Sequence, residues 1–166
     1  MAVVDGLGHG PHAAAAARAA LDALDRKPTL RPVKALLACH DALAGTRGAA
    51  LSVAWIEPGV QLTIAGVGNV EARLWHAGRT QRPIVQRGIV GSAMPRLTEA
   101  VFQLGDSDWV LVLHTDGVSS RCDPWSLPAF EARAMQELAD GLVGRWGQST
   151  DDATAVVVAP PARALP

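Results

Sequence analysis

The sequence predicts an α+β fold, and three observations predict it. Residues 11–26 are dominated by alanine and other strong helix formers. From Gly48 onward the apolar period falls to two, as in half-buried strands. Near the C-terminus an amphipathic helical stretch gives way to one last apolar run. With 166 residues, 49% of them hydrophobic and 19% charged, the chain suits one globular domain with a real core. No repeat or linker divides it, so one domain over residues 1–159 is expected, followed by a disordered tail at 160–166, PPARALP.

Each element has a local reason. Val3 and Val4 form a short apolar strand that runs into Asp5 and three alternating glycines. Pro11 opens the first helix at no hydrogen-bond cost, and its run of alanines leaves a thin surface that can approach a neighbour closely. Pro28 and Pro32 separate it from a second helix over residues 32–43, with Val33, Leu36, Leu37 and His40 at 3–4 spacing and Gly45 as the stop. Residues 48–57 and 60–69 read as two strands joined at Pro58-Gly59. Residues 70–78 and 79–88 continue an antiparallel meander, the second alternating weakly. Residues 88–96 are too rich in glycine and proline for regular structure. Residues 97–104 alternate again, 105–107 turn, and 108–115 are almost continuously apolar, as a strand buried on both faces would be. A third helix is expected over 128–146, with Phe130, Ala134, Leu138, Leu142 and Val143 on one face, and a final strand over 153–159.

Composition also excludes partners. A formal net charge of -1 without any Lys/Arg block gives little electrostatic grip on nucleic acid or an anionic membrane. No apolar run approaches the roughly 18 residues that span a bilayer. Cys39 and Cys122 stand far apart with no CxxC pattern, which points to free thiols and a cytoplasmic setting. The glycine alternation at Gly6, Gly8 and Gly10 fails as a dinucleotide fingerprint, because Pro11 stands where the last glycine belongs and Asp5 would repel a pyrophosphate.

The chemistry lies in three aspartate sites. Asp5 and Asp116 each end an apolar strand and precede glycine, and Asp151 lies just before another apolar strand. Taken singly, an Asp-Gly pair is also what a turn requires. In an antiparallel sheet, however, one strand's end and the next strand's start share an edge, so the three can converge. Converging carboxylates stay ionised only beside a cation, and with no cysteine or paired histidine among them the hard oxygen donors point to Mg²⁺ or Mn²⁺.

The DGLGHG opening with its alanine-rich helix, the AGVGN turn at residues 65–69, the WVLVLHTDGV strand and the closing DDATAVVV resemble the metal-dependent serine/threonine phosphatases of the protein phosphatase 2C class, in particular the bacterial SpoIIE/RsbX-type branch. The motifs run in the family's order from residue 1 to about 159. The resemblance implies a sandwich of two antiparallel β-sheets flanked by α-helices with two Mn²⁺ or Mg²⁺ ions at one edge. By motif position, Asp5 would bridge both ions, the Gly6 carbonyl would bind one, and Asp116 and Asp151 would complete the other's shell, with Asp152 as a neighbour. It further implies hydrolysis of phosphoserine or phosphothreonine on a bacterial signalling protein, such as a phosphorylated anti-sigma-factor antagonist or a stressosome-type scaffold.

Two departures accompany the resemblance. Family members carry a pair of strands ahead of the DGxG motif, whereas only residues 1–4 precede Asp5 here, so a sandwich lacking its first strands and exposing a sheet edge is expected. Eukaryotic relatives have a histidine directly after the first Asp-Gly, and this position is Leu7; His9 is the nearest substitute as proton donor, or else a loop or helix-cap residue. Arg47 and Arg96 are either phosphate or partner contacts or solvated side chains, and Ser119, Ser120 and Thr150 either support the aspartates or cap turns. His114, inside the buried run, reads as a core histidine. The alternative to an enzyme is a catalytically weak phosphatase-fold module that docks a regulatory partner.

Overall fold

The computed structural model describes residues 1–105 and 107–160. In chain order the elements are β1 (Ala2–Gly6), α1 (Pro11–Arg26), α2 (Pro32–Ala42), β2 (Ala49–Glu57), β3 (Gln61–Val67), β4 (Glu71–His76), β5 (Arg79–Gln81), β6 (Ala100–Gln103), β7 (Trp109–His114), α3 (Pro128–Glu131), α4 (Met135–Trp146) and β8 (Ala155–Val158). Two four-stranded antiparallel sheets form, one ordered β1-β2-β3-β6 and the other β5-β4-β7-β8. This is the expected sandwich, with β1 at the edge of the first sheet.

The hydrophobic pattern explains the layering. Ala16, Ala20 and Ala23 on α1 and Leu36 and Cys39 on α2 pack against Leu51 and Val67 of the first sheet. The small alanine face brings the helices close enough that the Cys39 Sγ lies 3.6 Å from the Ala20 carbonyl oxygen; burial pushes that thiol up to about 11. Val3, Leu62, Ile64 and Leu74 fill the space between the sheets together with Leu111 and Leu113 of β7. The intervening Val110 and Val112 face outward onto Leu138 and Leu142 of α4. Alternate residues of β7 thus meet two different layers, which is why its sequence is apolar throughout.

Several expectations change. The meander is divided between the sheets: the chain leaves β3 for the other sheet at Gly68, whose φ of 99° and close approach to Ala50 leave no room for a Cβ. The strand expected over 79–88 is only β5, because Pro83 offers no N–H to a ladder and Gln86 turns instead to the end of β3. There its N–H donates to the Gly66 carbonyl at 3.0 Å and its carbonyl accepts from the Gly68 N–H at 2.9 Å. The strand expected from residue 97 begins at Ala100. The third helix is broken into α3 and α4 at Arg133, which takes a left-handed φ of 56°. Leu138 and Leu142 are buried as expected, but Val143 is exposed. Asp106, in the expected 105–107 turn, and residues 161–166 of the expected tail lie outside the described residues.

Candidate metal centre

The aspartates are brought together by strand ends of both sheets. Asp5 is paired opposite Ala50 and Gly6 opposite Ala49, where β1 ends and β2 begins. Gly6 lies flat against the start of α1, where a Cβ would stand 2.1 Å from the Ala13 carbonyl oxygen. In the second sheet Asp116 follows β7, and Asp151 and Asp152 precede β8, whose Ala155 pairs with His114. The Thr115 N–H donates to the Thr154 carbonyl at 3.0 Å, and a Cβ on Gly117 would lie 2.2 Å from the Asp152 carbonyl oxygen. The Asp116 turn and the Asp151-Asp152 segment are therefore in contact along their main chains. Asp5, Gly6, His9, Asn69, Asp116 and Asp151 line one open cleft of about 440 Å³.

Electrostatics set this cleft apart. The half-buried Asp5 carboxyl is pushed up to about 6, first by burial and then by the neighbouring carboxylates of Asp116, Asp151 and Asp152. The Asn69 side-chain amide donates to Asp116 Oδ2 at 2.5 Å, and Gln148 Nε2 donates to the Asp116 main-chain oxygen at 2.8 Å. The Asp152 N–H donates to Asp151 Oδ1 at 2.9 Å. The carboxylates facing the cleft are hard oxygen donors that repel one another, the set that suits Mg²⁺ or Mn²⁺. Among the described residues, no three His, Cys, Asp or Glu side chains draw close enough to enclose an ion by themselves. Mg²⁺ characteristically keeps several waters and takes only one or two carboxylates, so an open arrangement with a main-chain oxygen at Gly6 still fits.

Asp5, Gly6, His9, Asp116, Thr150 and Asp151 line this cleft; Asp152 adjoins it through its contact with Gly117, Ser119 and Ser120 line a neighbouring pocket that also touches Asp116, and Arg96 is exposed away from the cleft lining. Arg47 comes to its lip, with Nη1 3.0 Å from where a Gly8 Cβ would stand. His114 is a core histidine: Nδ1 lies 2.9 Å from the Thr115 carbonyl and Nε2 3.3 Å from the Arg73 Nε donor, and burial lowers its pKa. Sequence reasoning missed Asn69, although the AGVGN turn containing it was conspicuous, because its partner Asp116 is distant in the chain and is brought beside it only by the pairing of β4 with β7. It missed Gln148, which is likewise distant from Asp116 in the chain. Arg73 was also missed: its guanidinium, 2% exposed, bonds to the Ser120 and Cys122 carbonyls at 2.6 and 2.7 Å in the loop after Asp116.

A family model described as Stage II sporulation protein E (SpoIIE) matches residues 1–160. Among curated proteins no sequence matches. Among solved structures, one from work on the bacterial stressosome, described as a modular system adapted to control secondary messenger signalling, is 31% identical and superposes with a TM-score of 0.85 over 95% of this chain and 82% of that one. RsbX in complex with magnesium is 23% identical, with a TM-score of 0.81 over 95% of this chain and 78% of that one. The catalytic domain of the serine/threonine protein phosphatase PstP with 2 manganese ions is 18% identical, with a TM-score of 0.67 over 95% of this chain and 85% of that one. The latter two share the fold with this chain.

Proposed function

The chain belongs to the SpoIIE family of protein phosphatase 2C-like enzymes, and from that premise we propose that it removes phosphate from serine or threonine of a bacterial signalling protein in the cytoplasm. The substrate class we infer is an anti-sigma-factor antagonist or a related stressosome-type scaffold, which the likeness to the stressosome and RsbX structures supports. The observation that carries the reading is that Asp5, Asp116 and Asp151, distant in sequence and borne by different sheets, line one cleft. We assign the catalytic domain to residues 1–159.

In this reading Asp5, Asp116, Asp151 and the Gly6 carbonyl would hold two Mn²⁺ or Mg²⁺ ions. Bound ions of this kind lower the pKa of water and offset phosphoryl charge, so no protein nucleophile is needed. The remaining work falls to the chain. Asn69 fixes one oxygen of Asp116, and Gln148 anchors the main chain of the same residue. Gly6, without a Cβ, lets β1 rest on α1 so that Asp5 faces the other two carboxylates. His9, exposed on the lip of the cleft, would give a proton to the departing serine or threonine oxygen. The cleft is open, as access by a loop on another protein's surface requires.

The test is hydrolysis of p-nitrophenyl phosphate with and without Mn²⁺, in the wild type, Asp5→Asn and Asp116→Asn. Turnover that depends on the metal and falls by about 10²-fold or more in both variants is expected. A folded wild type that is inactive even on phosphoprotein would replace the enzyme with the docking module.

A further inference from the structure

We propose that residues 82–87, the segment RPIVQR between β5 and β6, form a substrate-recognition strap that takes an acidic stretch flanking the phosphorylated residue of a protein substrate. The proposal rests on the phosphatase reading above. A second groove, of about 420 Å³, lies beside the aspartate cleft and is lined by Gly68, Asn69, Glu71, Arg82, Arg87 and Asp116, among others. Asn69 and Asp116 line both, so the two spaces adjoin at the candidate metal centre. A peptide whose phosphoseryl group enters the cleft has this groove as a path for its flank.

Three features suit the strap to that role. First, it is held in place rather than loose: Gln86 is hydrogen-bonded through both its N–H and its carbonyl to Gly66 and Gly68, two and four residues beyond Ile64 of β3 and directly before Asn69, while Pro83 is buried. Second, its charge is uncompensated. Among the described residues neither Arg82 nor Arg87 makes an ion pair, whereas Glu71, the groove's other carboxylate beside Asp116, is drawn to Arg73 Nη2 at 3.2 Å and lies 3.7 Å from His114 Nε2. Third, Ile84 stands between the arginines 81% exposed, an apolar side chain the fold does not use. Two exposed guanidinium groups around one apolar contact, on a pinned segment beside the reacting centre, fit a chain carrying Asp or Glu and an apolar residue next to its phosphoserine.

The experiment compares kcat/KM on phosphoserine peptides with acidic, neutral and lysine-bearing flanks, in the wild type, Arg82→Ala/Arg87→Ala and Arg82→Glu/Arg87→Glu. The expected result is a preference of about tenfold for the acidic over the neutral flank in the wild type, the scale of two exposed ion pairs. It should fall to near parity in the alanine pair and invert toward lysine in the glutamate pair. High salt should shrink it. Equal kcat/KM on acidic and neutral flanks in the wild type, or a preference unchanged by both double variants, would overturn the strap. Wild-type turnover of p-nitrophenyl phosphate, which has no flank, tests the phosphatase reading separately. If that turnover is absent, fluorescence anisotropy of a labelled acidic-flank peptide in EDTA decides the inference alone: binding lost in the glutamate pair supports it, and no wild-type binding overturns it.

Discussion

At the scale of single residues, the glycines of the site matter for what they lack. A methyl group on Gly6 would stand 2.1 Å from the Ala13 carbonyl oxygen, which is main chain and cannot swing aside. Either β1 or the first turn of α1 must move, and Asp5 moves with it. Gly6→Ala should therefore cost about 1–3 kcal/mol, the usual scale of overpacking, and reduce metal-dependent turnover as well. Gly144, inside α4 with nothing within 4 Å of its would-be Cβ, is the control. Gly144→Ala should stabilise by ~0.5–1 kcal/mol through helix propensity. Thermal denaturation of the two variants checks this, and equal melting temperatures would refute the contact argument. The glycines and the aspartates were legible because each stands at a strand end in the sequence itself. Asn69 and Gln148 were not, since their only mark is a hydrogen bond to a residue 47 and 32 positions away.

At the scale of elements, β4 shows where alternation misleads. Ala72 and Leu74 point into the space between the sheets, so the period of two sends Glu71, Arg73 and Trp75 to the opposite face, which by pattern alone belongs to solvent. That face is covered by the loop after Asp116 and by α3 and α4, and Arg73 ends fully enclosed. Its guanidinium ties Glu71 on its own strand to the Ser120 and Cys122 carbonyls across from it. Removing it leaves two carbonyls, a carboxylate and His114 Nε2 without their donor. Arg73→Leu should cost ~3–5 kcal/mol in urea unfolding, as breaking a buried ionic network does. Arg73→Lys should recover part of that, because an ammonium supplies the charge but not the fork that reaches both carbonyls. A loss below about 1 kcal/mol in Arg73→Leu would show that the network contributes little. The break between α3 and α4 escaped the sequence for a related reason: Arg133 has no intrinsic preference for a left-handed φ, and the constraint comes from its surroundings. Elements with one local cause, such as α1 with its proline start and alanine face, matched to the residue.

At the scale of the molecule, the candidate centre is where the two sheets share a charge problem. Asp5 belongs to the first sheet, Asp116 and Asp151 to the second, and together with Asp152 these carboxylates raise the Asp5 pKa to about 6 once its burial has begun to do so. Repulsion between them pushes the sheets apart at that edge, and a divalent cation reverses its sign, so binding and sandwich stability are linked. A ligand present at about 100 times its dissociation constant stabilises the folded state by ~2.7 kcal/mol. For a chain of this size, each kcal/mol moves the melting temperature by roughly 2–4 °C. Saturating Mn²⁺ should therefore raise the melting temperature of the EDTA-treated protein by roughly 5–10 °C. Asp116→Asn should lose most of that gain, while its metal-free melting temperature stays level or rises because one repelling charge has been removed. Differential scanning fluorimetry across a Mn²⁺ titration reads both quantities without calling on activity. A wild-type melting temperature indifferent to Mn²⁺ and Mg²⁺ would mean that the aspartates do not bind an ion between the sheets, whatever else the cleft does.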